Sequence, residues 1–234
     1  MAQKTVNLPG IGEVLLAKRR GTKNLRLSIQ PDGRVRVGLP AWAPYAAGVR
    51  FAFARLEWIK KHRSHINNPV LVHEARIGKS FRLIFVSISK TAKTHSRVLG
   101  SNITITSSLP YTSPAVQAAA AKASERALRI EAEKLLEIRL KELARRHSFS
   151  YKSLRIKRLR SRWGSCSSDQ VITLNYFLIQ LPWDLIDYVI IHELVHTRHL
   201  DHSAAFWKTF EKAMPDVKKL RKEIKKYRPV LMPS

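Results

Sequence analysis

Cysteine is nearly absent: Cys166 is the single one among 234 residues. An intramolecular disulfide framework and a multi-cysteine zinc module are therefore excluded, and a reducing cytoplasm is the expected setting. Acidic residues are also scarce, with 17 Asp and Glu against 43 Lys and Arg, a net charge of +26 with His neutral. Such a surface attracts polyanions, which favours nucleic acid, nucleotides or anionic lipid as partners. No run reaches the roughly eighteen apolar residues needed to cross a bilayer. The opening MAQKTVNLPG lacks the apolar centre of a signal peptide, so a soluble protein without membrane association or export signal is expected. Walker, glycine-rich phosphate-loop, helix-turn-helix, RNA-recognition and zinc-finger signatures are missing too. Any nucleic-acid binding is then expected to be sequence-independent and salt-sensitive.

What is present, 44% hydrophobic residues, suffices for the core of one large domain or two small ones. Residues 1–110 read as a β-rich basic subdomain with one helix. Leu25, Leu27 and Ile29 alternate, as do Val35, Val37 and Leu39, across Pro31-Asp32-Gly33, which predicts a hairpin with one buried face. Helical spacing runs from Pro44 to about His65, and strand-like runs follow at 80–88 and 97–106. Clustered Ser, Thr and Pro from Ser107 to Pro114 mark a boundary, placed at 110/111. In residues 111–234 a long helix is expected from Pro114 to Arg146. Strands at 153–159 and 171–179 are joined by a turn-rich connection over 162–168, and a second helix begins near Pro182.

That second helix carries His192-Glu193-Leu194-Val195-His196. Residues four apart share a helical face, so the two imidazoles can converge on one ion with Glu193 beside it. A surface His pair is the plain alternative, but Ile190, Ile191, Leu194 and Val195 indicate a buried helix, where neutral histidines need a partner. His199 stands roughly 10 Å from His192 along a straight helix and cannot join the pair unless the helix breaks. His202, six residues beyond His196, can curl back in a spacing like HExxHxxGxxH, with His199 in the glycine position. Glu211 on the next helix is the competing third ligand, and His202 is favoured over it. Cys166 reads as a small apolar residue, and Trp163, Trp207 and Met214 read as packing as readily as site residues.

The segments Arg162-Trp163-Gly164-Ser165-Cys166-Ser167-Ser168, Leu174-Asn175-Tyr176, Asp187 to His196, His202-Ser203 and Phe206-Trp207 together resemble the YgjP-like metal-dependent hydrolases. That family is similar in turn to the SprT-like zinc peptidases. The resemblance covers about residues 150–220 closely and the N-terminal strands loosely, and Tyr176 departs from it by standing where Trp is expected. It implies an α+β fold: a zincin-like metallopeptidase domain preceded by the N-terminal β-rich basic subdomain. It also implies zinc held by His192, His196 and His202, with Glu193 as general base.

With three neutral imidazoles and an open position, the chemistry is hydrolysis by activated water. The strand at 171–179 is expected to form the cleft rim, and Arg162, Asn175, Tyr176 and Tyr188 are the candidate substrate-binding groups. The leading expectation is a zinc metallopeptidase acting on peptides or proteins, including nucleic-acid-associated ones. A zinc-dependent nucleoside triphosphate pyrophosphatase or phosphohydrolase, with Arg158, Arg160 or Arg162 on the phosphates, is the alternative. A non-catalytic nucleic-acid-binding protein with structural zinc is the third. Eight Lys and Arg without an acid between Glu142 and Asp169, and seven in eleven residues from Lys218 to Arg228, supply the basic surface.

Overall fold

Val14, Leu16, Val35, Val37 and Leu39 are fully buried, as alternation along a half-buried strand requires. The computed structural model describes residues 2–29, 33–63, 70–89 and 93–232, in two units, Met1–Asn68 and Pro69–Ser234. In the first, β1 (Gln3–Leu8), β2 (Gly12–Arg19), β3 (Arg26–Ile29) and β4 (Val35–Pro40) form a sheet in the order β1-β2-β4-β3. The expected hairpin is the antiparallel pair β3 and β4, with Leu27 opposite Val37. Pro31 and Asp32 of its turn lie outside the described residues, as does the expected helix end at His65. The single expected helix is two, α1 (Tyr45–Phe53) and α2 (Leu56–Arg63). Between them the Arg55 N–H turns to the Ala52 carbonyl, an i to i−3 bond that tightens and ends the first helix.

The second unit begins with a sheet in the order β5-β6-β8-β7, made of β5 (Arg76–Ile77), β6 (Phe81–Ser87), β7 (His95–Leu99) and β8 (Asn102–Ser107). The run at 97–106, expected as one strand, is a hairpin, because Gly100 adopts φ +56° and reverses the chain. The 33-residue α3 (Pro114–Arg146) has the expected bounds. The division between units falls at 68/69, ahead of the expected 110/111. Leu83, Ile103 and Ile105 share one core with Val116, Ala120 and Leu128 of α3, which ties this sheet to the following helix. Buried Glu131 of α3 accepts from the Lys79 N–H at 2.8 Å and the Ser80 hydroxyl at 2.5 Å, fastening the β5–β6 turn.

Next, β9 (Ser153–Lys157), β10 (Gly164–Cys166) and β11 (Val171–Asn175) form a sheet ordered β10-β11-β9. β10 lies within the segment read as a turn-rich connection. β11 stops at Asn175, whose side chain accepts from the Phe177 N–H at 3.2 Å and caps a short 3-10 helix, Tyr176–Gln180. Three α-helices follow, α4 (Trp183–His196), α5 (Ala204–Ala213) and α6 (Val217–Glu223), the last continued by a 3-10 turn, Ile224–Lys226. Among the described residues no helix is long and apolar enough to cross a membrane.

Candidate metal centre

Pro182 caps α4 with φ −51°, and Ile186, Ile190, Ile191, Leu194 and Val195 bury it on more than one side. Asp187, near the start of this helix, is held by Arg139 of α3. Arg139 Nε and Nη2 donate to its two carboxylate oxygens at 2.7 and 2.5 Å, a fork that sets α4 against α3. The helix therefore presents His192 and His196 from a fixed scaffold.

After His196 the chain leaves the helix. The His199 N–H still bonds the Val195 carbonyl, and the His199 backbone is not left-handed despite holding the glycine position of the motif. The His199 carbonyl accepts from His196 Nδ1 at 2.9 Å, and its Nε2 meets Thr209 Oγ1 of α5 at 3.0 Å. Asp201 Oδ1 then accepts from the Ser203 N–H at 3.1 Å at the start of α5. This turn returns His202 to the pair.

His192 Nε2 lies 3.1 Å from His196 Nε2 and 3.2 Å from His202 Nε2. Ligand atoms tetrahedrally disposed at about 2.0–2.1 Å from zinc stand roughly 3.3 Å apart, so this triangle matches that donor set. Because His196 Nδ1 carries the proton given to the His199 carbonyl, its Nε2 presents a bare lone pair to the other two rings. Three nitrogens aimed at one point fit a shared cation better than one another. Burial, followed by the neighbouring His196 and His202, pushes His192 down to about 3, so its ring is neutral and able to ligate. The Phe206 ring, 4.7–5.1 Å from all three imidazoles, gives the triad an apolar floor. Glu211, the competing third ligand, instead pairs with Lys218 at 3.2 Å.

Glu193 is 5% exposed, and burial pushes its carboxyl up to about 8 against the opposing pull of Arg162. Its side chain lies directly beneath β10: a Cβ added at Gly164 would stand 2.7 Å from Glu193 Oε1 and 2.8 Å from its Cγ. Cys166 on the same strand is half-buried, its thiol raised to about 11 by burial and then by Glu193.

The four candidate substrate groups separate. Arg162 is exposed and acts on Glu193 through its charge. Tyr188 packs its ring 6.2 Å from His192 and 5.2 Å from Phe210. Tyr176 turns away, its hydroxyl donating to Glu125 of α3 at 2.8 Å. Asn175 is fully buried, and its amide donates to the Leu159 and Arg162 carbonyls at 2.8 and 2.9 Å. Its contacts fasten the connection between β9 and β10 and leave no donor for a substrate. Asn175→Ala is expected to cost on the order of 2 kcal/mol by orphaning two carbonyls. An unchanged denaturant midpoint would contradict that role.

The expected cleft rim is corrected as well. β11 is the middle strand, paired with β10 on one side and β9 on the other, so neither of its edges is open. β10 is the edge strand on the Glu193 side. Sequence alternation missed it because three residues with Gly and Ser carry no periodic signal.

The sequence matches the family described as YgjP-like, metallopeptidase domain, over residues 23–227. Among solved structures, the metallopeptidase zymogen of Pyrococcus abyssi abylysin is 25% identical, with a TM-score of 0.36, over 39% of this chain and 94% of that one. The metallopeptidase zymogen of Methanocaldococcus jannaschii jannalysin is 18% identical, with a TM-score of 0.36, over 40% of this chain and 96% of that one. No curated protein gives a significant match.

Proposed function

The chain belongs to the YgjP-like metallopeptidase family, a group of peptidase-like hydrolases whose chemistry implies a divalent metal, and from this premise we propose that it hydrolyses peptide bonds with zinc held by His192, His196 and His202. The observation that carries this reading is the convergence of the three Nε2 atoms beside a buried carboxylate on the same helix. Bound zinc would supply Lewis acidity toward water and the substrate carbonyl. Glu193 accepts the proton of the attacking water and returns it to the leaving amine. Burial raises its affinity for that proton, and the positive charge of bound zinc would favour its ionised form before the transfer.

An extended peptide adds to the open edge of β10, which runs above Glu193, and its backbone groups pair with those of Gly164–Cys166. Arg162 brings positive charge to this rim. The nucleotide-hydrolase alternative draws less support, because Arg158 lines a pocket with Glu125 and Arg129 of α3 that includes none of the three histidines. Proteins bound to nucleic acid remain within the proposed substrate class, given the net charge of +26.

Elemental analysis tests the metal assignment. Wild type is expected to carry about one zinc per chain, and His202→Ala to lose most of it on dialysis because two imidazoles make a poor site. Cleavage of a casein-type substrate, blocked by a peptide hydroxamate, is expected from the loaded protein. Hydrolysis of a nucleoside triphosphate without peptide cleavage would overturn the peptidase reading.

A further inference from the structure

The basic tract between Glu142 and Asp169 is largely unused by this chemistry. Part of it, with α3, lines a cavity of about 420 Å³ whose polar walls are Glu125, Arg126, Arg129, Lys157, Arg158 and Tyr176. Four cations face one carboxylate there, in a groove open to solvent. The carboxylate is already engaged: Glu125 Oε2 accepts from the Tyr176 hydroxyl at 2.8 Å and from Arg158 Nη1 at 3.0 Å.

Those bonds also decide how the cations are presented. Arg158 is held by Nη1, with its guanidinium 5.7 Å from the Phe177 ring centre. Arg129 is held by Nε, which donates to Glu133 Oε1 at 2.9 Å. Each guanidinium is engaged through one nitrogen and keeps its remaining N–H groups to offer. Arg126 and Lys157 form no ion pair among the described residues. Guanidinium forks with uncommitted donors recognise the oxygens of a phosphate by shape as well as charge.

We propose that this cavity between α3 and β9 binds the phosphate groups of a nucleotide or of a nucleic-acid backbone. The site is separate from the histidine triad and does not depend on the peptidase reading. Beyond the cavity the same connection carries Arg160 and Arg162.

The test uses the full chain at physiological ionic strength, with a short labelled single-stranded DNA followed by fluorescence polarisation and competed with nucleoside triphosphate, pyrophosphate or poly-glutamate. In the double variant Arg126→Gln with Lys157→Gln, binding is expected to weaken about tenfold or more, as loss of charge-assisted bonds requires. The charge-matched variant Lys212→Gln with Lys225→Gln, outside the cavity, is expected to retain wild-type binding. Cleavage of a neutral peptide is expected to be unchanged in both. Competition by triphosphate but not pyrophosphate identifies a nucleotide ligand, competition by both identifies the phosphate groups alone, and binding of the DNA without competition identifies the backbone; each supports the site. Equal weakening in both double variants would overturn it, because diffuse charge would then explain the binding. So would equal competition by poly-glutamate, or no binding of any phosphate ester.

Discussion

Glu193→Gln is expected to lower peptide hydrolysis by about 10²–10⁴-fold, the usual contribution of a positioned acid–base group, while zinc content stays at the wild-type level. The amide is close to the carboxylate in size and fits the same space under β10, so the fold has no reason to change. What is lost is the proton acceptor. Metal content and melting temperature measured on the same samples separate this outcome from damage to the site. Full activity in Glu193→Gln would sink the general-base assignment and move the weight toward a binding protein with structural metal. A closed structural site has no use for a buried carboxylate beside its ligands, which is why this substitution discriminates between the two.

Gly164→Ala is expected to cost on the order of 10²-fold in the same assay, from a residue that contributes no chemical group. The added methyl would sit 2.7 Å from Glu193 Oε1 and 2.8 Å from Cγ, inside van der Waals contact. Glu193 is buried, so it can yield only by rotating its carboxylate away from the triad or by lifting β10. Both displace the acceptor relative to the attacking water, and a shift near 1 Å is enough for such a loss. Gly164 does not adopt a positive φ, so alanine meets no backbone strain there. A fall of a few degrees in melting temperature is expected, as overpacking by about 1–3 kcal/mol requires, with zinc retained. Wild-type activity in Gly164→Ala would show that the carboxylate tolerates displacement and would remove the reason for glycine at this strand.

The two substitutions differ in how visible their positions are beforehand. Glu193 is announced by its own neighbours, since HExxH places the acid and both histidines within two turns of one helix. Gly164 is announced by nothing nearby, because the contact joins residues from different elements. The same contrast separates Asn175 and Tyr176 from Arg162. All three are polar and near the motif, but the first two spend their side chains on the Leu159 and Arg162 carbonyls and on Glu125. The strand order supplies another case. A run of alternating apolar residues identified β11, yet alternation says nothing about which strand lies at an edge, and the edges belong to β10 and β9.

By itself the sequence determined the features whose causes are local. The uninterrupted alanine-rich span without Gly or Pro makes α3 run from Pro114 to Arg146, Pro182 starts α4, and four-residue spacing puts His192 and His196 on one face. It also determined the excess of positive charge. Tertiary structure decided the return of His202, which depends on the turn held by the His199 carbonyl and Thr209. It decided too that the sheet of residues 76–107 packs with α3 and that Glu193 lies under Gly164. It gathered Arg126, Arg129, Lys157 and Arg158 around one cavity. The physical reason is range: helix propensity, capping and periodicity act over a few residues, whereas burial and packing join residues far apart in the chain and carry no local signature.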